Sequence, residues 1–288
     1  MMECGTTRLA VDMGEDVAVF TLGDIHEGNA NVDYTALNAA VKTIKDEKRQ
    51  KAVILTGDLI EAITPDDKRW CPTAVYQDYA LRDLKNLPFI QSNNVCKILE
   101  PIKNDVVAIL IGNHEEVYIK KHFGDVYAHI ADKFPHAIKL GGSGFYRFVL
   151  EIKGCDPFSF DFSLKHGTAG GGRMMGYQIN KARETFEFEI ADFCIMGHLH
   201  KLEAKRVRYR EMDHVGQNIV ERKMWYGVSG TFKRTYVTGN ADWYEQRGRE
   251  EADIGMLGAT FSVTRPHHSR RGPRPYLKNT NLERMYFD

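Results

Sequence analysis

The chain reads as an α/β protein, with strand alternating with helix in its first half and a strand-rich second half. Three observations predict this. Short aliphatic runs end abruptly in polar turns: "DVAVFTLGD", "KAVILTGD" and "DVVAILIGNHE". Between the first two, "YTALNAAVKTIKDEKR" sets Leu37, Ala40, Val41 and Ile44 on one face at helical spacing. After residue 200, "EAKRVRYRE" and "IVERKMWYGVSG" alternate in the manner of antiparallel strands. Parallel βαβ units are therefore expected first and strand pairs later.

The remaining elements follow in order. Residues 74–103 have a mostly helical rhythm, broken near Pro88. A helical zone including "DVYAHIADKF" follows the third strand, and further strands are expected at "FYRFVLEI" and "FSFDFSLKHG". "RMMGYQINKARETFEFE" reads as a helix and "DFCIMGHLH" as a strand with a polar end. From Arg265 the chain turns basic and proline-rich, "RPHHSRRGPRPYLKN". One domain over 1–264 and a tail or surface arm over 265–288 are expected.

Composition narrows the function classes. The 288 residues can bury a large core. Lys+Arg and Asp+Glu both number 39, so no global field favours nucleic acid or anionic lipid. No apolar run approaches the ~18–20 residues of a membrane span. The first twenty residues carry acids and lack a signal-peptide core. The five cysteines are scattered and never form a C-x-x-C pair, which argues against a disulfide framework and fits a reducing cytoplasm.

The polar strand ends are the informative feature. Asp24-Ile25-His26 follows the first strand, Gly57-Asp58 with Glu61 the second, and Gly112-Asn113-His114-Glu115 the third. His166-Gly167 and Gly197-His198-Leu199-His200 close two later strands. Each has a plain reading alone: a helix start, a turn, an Asn cap, a satisfied buried histidine. Open α/β sheets, however, gather their sites at the carboxyl ends of strands. Five ends with carboxylates, an amide and imidazoles point to one centre for divalent ions such as Mn, Fe, Zn, Ni or Co. Seven ligands with one shared carboxylate suffice for two ions, which in such sites lie about 3.5–4 Å apart and clamp phosphoryl oxygens.

This ordered set, Asp24-x-His26, Gly57-Asp58-x-x-Glu61, Gly112-Asn113-His114-Glu115, His166 and Gly197-His198-x-His200, resembles the calcineurin-like metallophosphoesterases over roughly residues 17–230. The resemblance implies a four-layer α/β/β/α sandwich with mixed sheets and a dinuclear centre at its edge. It implies one ion on Asp24, His26, Asp58 and His200, and a second on Asp58, Asn113, His166 and His198, with Asp58 bridging. Manganese is the first expectation for both. His114 would be the histidine outside the coordination shell that protonates the leaving group or stabilises the phosphoryl charge, and Glu61 the carboxylate facing it. Glu115 either fixes the loop through backbone N–H groups or touches the chemistry.

Departures from family patterns refine the expectation. The serine/threonine phosphatases continue their second motif with Asp-Arg-Gly, whereas "GDLIEAITP" has no arginine. Enzymes cleaving the lipid A precursor usually lack the histidine present here as His114. The double-strand-break nucleases carry further domains, for which this chain is too short. "HGTAGGGRMMGYQINKARETF" and "YGVSGTFKRTY" are similar to stand-alone members encoded in phage and prophage genomes. The expected activity is therefore phosphoester hydrolysis, leaning to phosphodiesters of nucleic acid or nucleotides. A phosphomonoesterase or a non-catalytic scaffold is the alternative. Arg173, after the glycine-rich turn, is a candidate substrate contact. Lys233 and Arg234 are expected to be exposed turn residues. The basic tail offers a contact for nucleic acid or a partner.

Overall fold

The computed structural model of the chain describes residues 3–287, except 76–78, 168–171, 173, 175, 213–217, 241–242 and 266–275. Its frame is two six-stranded mixed sheets. In one, β2 (Val17–Leu22), β3 (Gln50–Leu55), β4 (Val106–Ile109) and β5 (Ile138–Lys139) run parallel. Two antiparallel strands, β11 (Gly255–Thr264) and β12 (Leu277–Tyr286), extend it beyond β2. The other holds β1 (Glu3–Ala10), β6 (Ser143–Glu151), β7 (Phe158–Lys165), β8 (Phe193–Met196), β9 (Leu202–Met212) and β10 (Ile219–Ser229). Its order is β1-β6-β7-β8-β10-β9, with β7, β8 and β10 mutually parallel.

Side-chain alternation builds the layers. Val17, Val19, Ala52 and Ile54 point inward and meet Phe148, Phe160, Phe162, Phe193 and Ile195 of the facing sheet. Phe162 stacks on Phe193 at 4.5 Å and Phe160 on Phe261 at 4.6 Å between ring centroids. The intervening residues Ala18, Phe20, Val53 and Leu55 face outward onto α1 (Tyr34–Asp46), α2 (Leu87–Leu99) and α4 (Val126–Ala131). On the far side, Cys194, Met196, Tyr226 and Val228 pack with α5 (Tyr177–Thr185). Strands that bury both faces are mainly apolar, which is why β8 and the buried parts of β2 and β3 read as near-continuous runs. The result is the expected α/β/β/α sandwich.

Four differences have physical causes. Pro88 starts α2 rather than interrupting a longer helix, because proline is tolerated in a first turn. The chain before it forms short 3-10 turns at 72–74 and 81–86. Of the helix expected over 173–189, the described residues form α5, Tyr177–Thr185. Residues 277–286 of the expected tail form β12, an edge strand of the first sheet, while 266–275 lie outside the described residues. β1, β5 and β11 are additions to the elements read from the sequence.

Candidate metal centre

Parallel strands of both sheets deliver their carboxyl ends to one edge. Asp24 and Asp58 lie just beyond β2 and β3, and the two loops stay paired there. Asp24 N donates to Gly57 O at 2.9 Å, His26 N to Asp58 O at 3.0 Å, and Glu27 N to Leu59 O at 3.0 Å. Asn113 and His114 open α3 (Asn113–His122) after β4. His166 follows β7; His198 and His200 follow β8. Asp24, His26, Asp58, His198 and His200 all adopt left-handed backbone conformations, with φ between 47° and 71°. Such conformations cost about 1–3 kcal/mol each in a non-glycine residue and cluster at functional sites.

Close approach explains the glycine of the third motif. A Cβ on Gly112 would lie 2.0 Å from Asp58 N and 2.1 Å from Asp58 Oδ1. Glu115 then locks the turns. Its Oε1 accepts N–H bonds from Leu59 (2.7 Å) and Ile60 (3.1 Å), and its Oε2 from Gly112 (3.0 Å) and Asp58 (3.2 Å). Burial and the Asp58 carboxylate push the Glu115 carboxyl up to about 7, against the pull of those N–H groups. Of the two roles expected for Glu115, the bonding pattern matches the loop-fixing one.

The lone pairs define the centre. His166 Nδ1 lies 2.8 Å from Thr56 O and donates to it, so in the neutral ring Nε2 presents a lone pair. That atom faces Asp58 Oδ2 and Asn113 Oδ1, each at 3.2 Å, and all three are acceptors. On the other side of Asp58, His26 Nδ1 donates to Glu61 Oε2 at 2.8 Å, turning its Nε2 toward His200 Nε2 at 3.0 Å. His200 Nε2 is 3.5 Å from Asp24 Oδ1, and His26 Nε2 is 3.9 Å from Asp58 Oδ2. Acceptors converging in this way need a proton or a cation between them. Burial lowers His26 to about 4, with the neighbouring His114 adding to the effect, so this ring is neutral and ligand-ready. Burial opposes charge on His166 too, yet the Asp58 and Asp24 carboxylates push it up to about 10. A divalent cation would answer the same electrostatic demand.

Two groups of ligand atoms result, Asp24 with His26 and His200, and Asp58 with His166 and His198. Asn113 joins the second through its Oδ1. Asp58 stands between the two. Nitrogen and oxygen donors without thiolate fit hard to borderline divalent ions. A third cluster joins His26, Asp58 and His114. There, however, His114 Nδ1 is committed to Glu61 O at 2.5 Å.

All seven expected ligands therefore come to one place. Glu61 does face His114, but its closer contact there is through the backbone. Its carboxylate is directed at His26, and His114 Nδ1 lies 3.8 Å from the nearer carboxylate oxygen. Its backbone carbonyl holds His114 instead. Burial alone would raise the Glu61 carboxyl, but the Lys233 charge and the His26 hydrogen bond hold it well below the usual range. Lys233 is also not an exposed turn residue: it is 5% exposed, with Nζ 3.8 Å from Glu61 Oε1. Arg234 pairs with Asp33, the cap of α1. Arg173 lies outside the described residues.

One residue was missed. Arg69 Nη1 lies 3.2 Å from His114 Nε2. The second motif carries no arginine, but the loop after it supplies one, and no local sequence pattern in "PDDKRW" marks it out.

Paired donor groups astride one carboxylate, at the edge of an α/β/β/α sandwich, define a metal-binding α/β protein. The chain belongs to the calcineurin-like phosphoesterase family, whose model matches residues 18–202. No curated protein matches it. It is similar in structure to a conserved uncharacterised protein, described as a predicted phosphoesterase, from Streptococcus pneumoniae TIGR4 (12% identity, 92% of this chain and 98% of that one, TM-score 0.31). It is also similar to the NAD nucleotidase of Haemophilus influenzae (11% identity, TM-score 0.41), where 94% of this chain spans 50% of the other. A third similar structure is GAP50 of Plasmodium, described as the anchor in the inner membrane complex (11% identity, 95% and 89% coverage, TM-score 0.44).

Proposed function

We propose that the chain hydrolyses phosphate esters with two divalent cations, manganese foremost, and prefers phosphodiesters such as nucleic acid or nucleotides. The observation that carries this reading is the convergence of acceptor atoms on both sides of Asp58. Asp24, His26, Asp58 and His200 would hold one ion; Asp58, Asn113, His166 and His198 the other. Bound there, the ions supply Lewis-acid polarisation of phosphoryl oxygens and lower the pKa of water.

The chain's own groups supply the rest. His114 N donates to Asp58 Oδ1 at 2.9 Å, which orients the other oxygen of that carboxylate toward the histidine ligands. The same helix start presents the positive end of its dipole to an anion. His114 is held at Nδ1 by Glu61 O, leaving Nε2 as the atom that exchanges a proton with the leaving-group oxygen. Glu61 steadies His26 from behind, as outer carboxylates do for ligating histidines. The diester preference rests on charge. The second motif lacks the arginine with which the serine/threonine phosphatases grip phosphate, and the basic stretch from Arg265 suits a polyanion.

Turnover of bis-p-nitrophenyl phosphate and p-nitrophenyl phosphate, each with Mn, Fe, Zn, Ni and Co, tests the reading. A higher kcat/KM for the monoester overturns the diester preference, and no turnover with any metal overturns hydrolysis. His114→Ala should lower kcat by about 10²–10⁴-fold, the usual contribution of a general acid, with metal content unchanged. Unaltered turnover would assign the acid elsewhere. Among the described residues no helix is long and apolar enough to cross a membrane.

A further inference from the structure

The loop after β3 contains a guanidinium held for a purpose that the metal ligands do not account for. Asp67 N bonds to Thr64 O at 2.9 Å and Trp70 N to Asp67 O at 2.9 Å, making a tight turn. Within it, Asp67 Oδ1 accepts from Arg69 N (2.9 Å) and Arg69 Nε (3.1 Å), and Oδ2 accepts from Arg69 Nη2 (3.1 Å). Lys121, from α3, approaches the same carboxylate at 3.4 Å. The Arg69 and Asp67 side chains are only 17% and 7% exposed. This fork fixes the guanidinium plane, and the end that remains, Nη1, is aimed at His114 Nε2.

The direction of that contact follows from the other side of the ring. Because Nδ1 donates to Glu61 O, the neutral ring presents a lone pair at Nε2 and Arg69 is its donor; when Nε2 carries the proton that a general acid needs, this contact opens and Nη1 is released toward the substrate. A guanidinium has five N–H groups, and pairing side-on with Asp67 occupies two of them. With one Nη1 hydrogen directed at His114, the second on Nη1 and the second on Nη2 remain, beside the atom where a leaving-group oxygen would approach. Planar donors in that position match two oxygens of one phosphoryl group, which a lysine ammonium could not do.

We infer that Arg69, pre-set by Asp67, is a substrate-contacting residue that grips the non-bridging oxygens of the phosphoryl group beside His114. The inference rests on the hydrolase reading above and identifies the group that recognises its substrate. Arg69 comes from the loop beyond the second motif, so it restores by a different path a contact that the motif itself lacks.

The experiment measures inorganic phosphate binding calorimetrically on Mn-loaded wild type, Arg69→Met, Arg69→Lys and Asp67→Asn. In parallel, kcat and KM are measured on bis-p-nitrophenyl phosphate, and bound metal by elemental analysis. Arg69→Met should weaken phosphate binding at least tenfold. It should lower kcat/KM by about 10²-fold, the scale of losing one transition-state donor, with metal content unchanged. Arg69→Lys should fall between, and Asp67→Asn should weaken phosphate binding through misorientation of an intact arginine. A melting temperature lowered in Arg69→Met with phosphate affinity and kcat/KM within twofold of wild type would show a purely structural residue and overturn the inference. Phosphate binding that depends on Arg69 in a protein that turns over no ester would sink the hydrolase reading and leave this one standing.

Discussion

Removing the Glu115 carboxylate should destabilise the whole edge that carries the candidate centre. The side chain is 2% exposed and accepts four backbone N–H bonds, from Asp58, Leu59, Ile60 and Gly112. Stranding a buried donor costs about 1–3 kcal/mol, so four taken independently would cost more than single substitutions usually do. Water entering the space left by Glu115→Ala would satisfy some of them, which brings the expected loss to about 4 kcal/mol. Glu115→Gln keeps one acceptor oxygen for Leu59 and Ile60 but turns an NH₂ group toward Gly112 and Asp58, so about half that loss is expected, near 2 kcal/mol. Urea unfolding measures both. With a slope of about 3 kcal/mol/M, the Ala variant should unfold about 1.3 M earlier than wild type. Both variants within 1 kcal/mol of wild type would refute the claim that this carboxylate holds the turns together.

Three further outcomes are expected. Glu61→Ala removes the acceptor that fixes the His26 tautomer and should weaken Mn binding about 10–100-fold, read by metal titration; a change below twofold contradicts the geometry. Gly112→Ala places a methyl on Asp58 backbone and carboxylate atoms and should cost about 1–3 kcal/mol in thermal unfolding while reducing Mn affinity. Asp33 caps α1 through Ala36 N and pairs with Arg234; although burial works the other way, these contacts hold its carboxyl below the ordinary value. Its folded pKa is depressed, so its contribution is present at neutral pH and lost as pH falls through the acid range. Asp33→Ala should therefore cost about 1 kcal/mol at pH 7, with the gap from wild type closing below about pH 4.

The parts of the molecule legible in the sequence are those where one residue type answers one local demand. β2, β3 and β8 bury both faces and end at ligands, so an aliphatic run followed by Asp24, Asp58 or His198 carried the signal unaided. β12 was hidden for the opposite reason: as an exposed edge strand its ten residues include only one buried hydrophobic, Leu282. β1 is likewise an edge strand, with Gly5 its only buried residue. At the candidate centre, the converging residues were readable because metal chemistry restricts ligands to few residue types. The partners of those ligands were not, since Glu61 reaches both His26 and His114 with different atoms. Only three-dimensional placement reveals that the carboxylate goes to one and the carbonyl to the other. Arg69 was invisible because an Asp-x-Arg turn has the same composition whether or not it faces a histidine.

The left-handed residues at the strand tips have a consequence for how the protein comes apart. Asp24, His26, Asp58, His198 and His200 occupy conformations that glycine would tolerate, yet each carries a side chain proposed to hold a cation. Cations that bind only the folded arrangement would counteract that tension through mass action. Chelation should therefore loosen the tips before the sheets, and amide hydrogens around 24–26, 57–59 and 198–200 should be the first to exchange faster in EDTA, while those of β3 and β7 keep their protection.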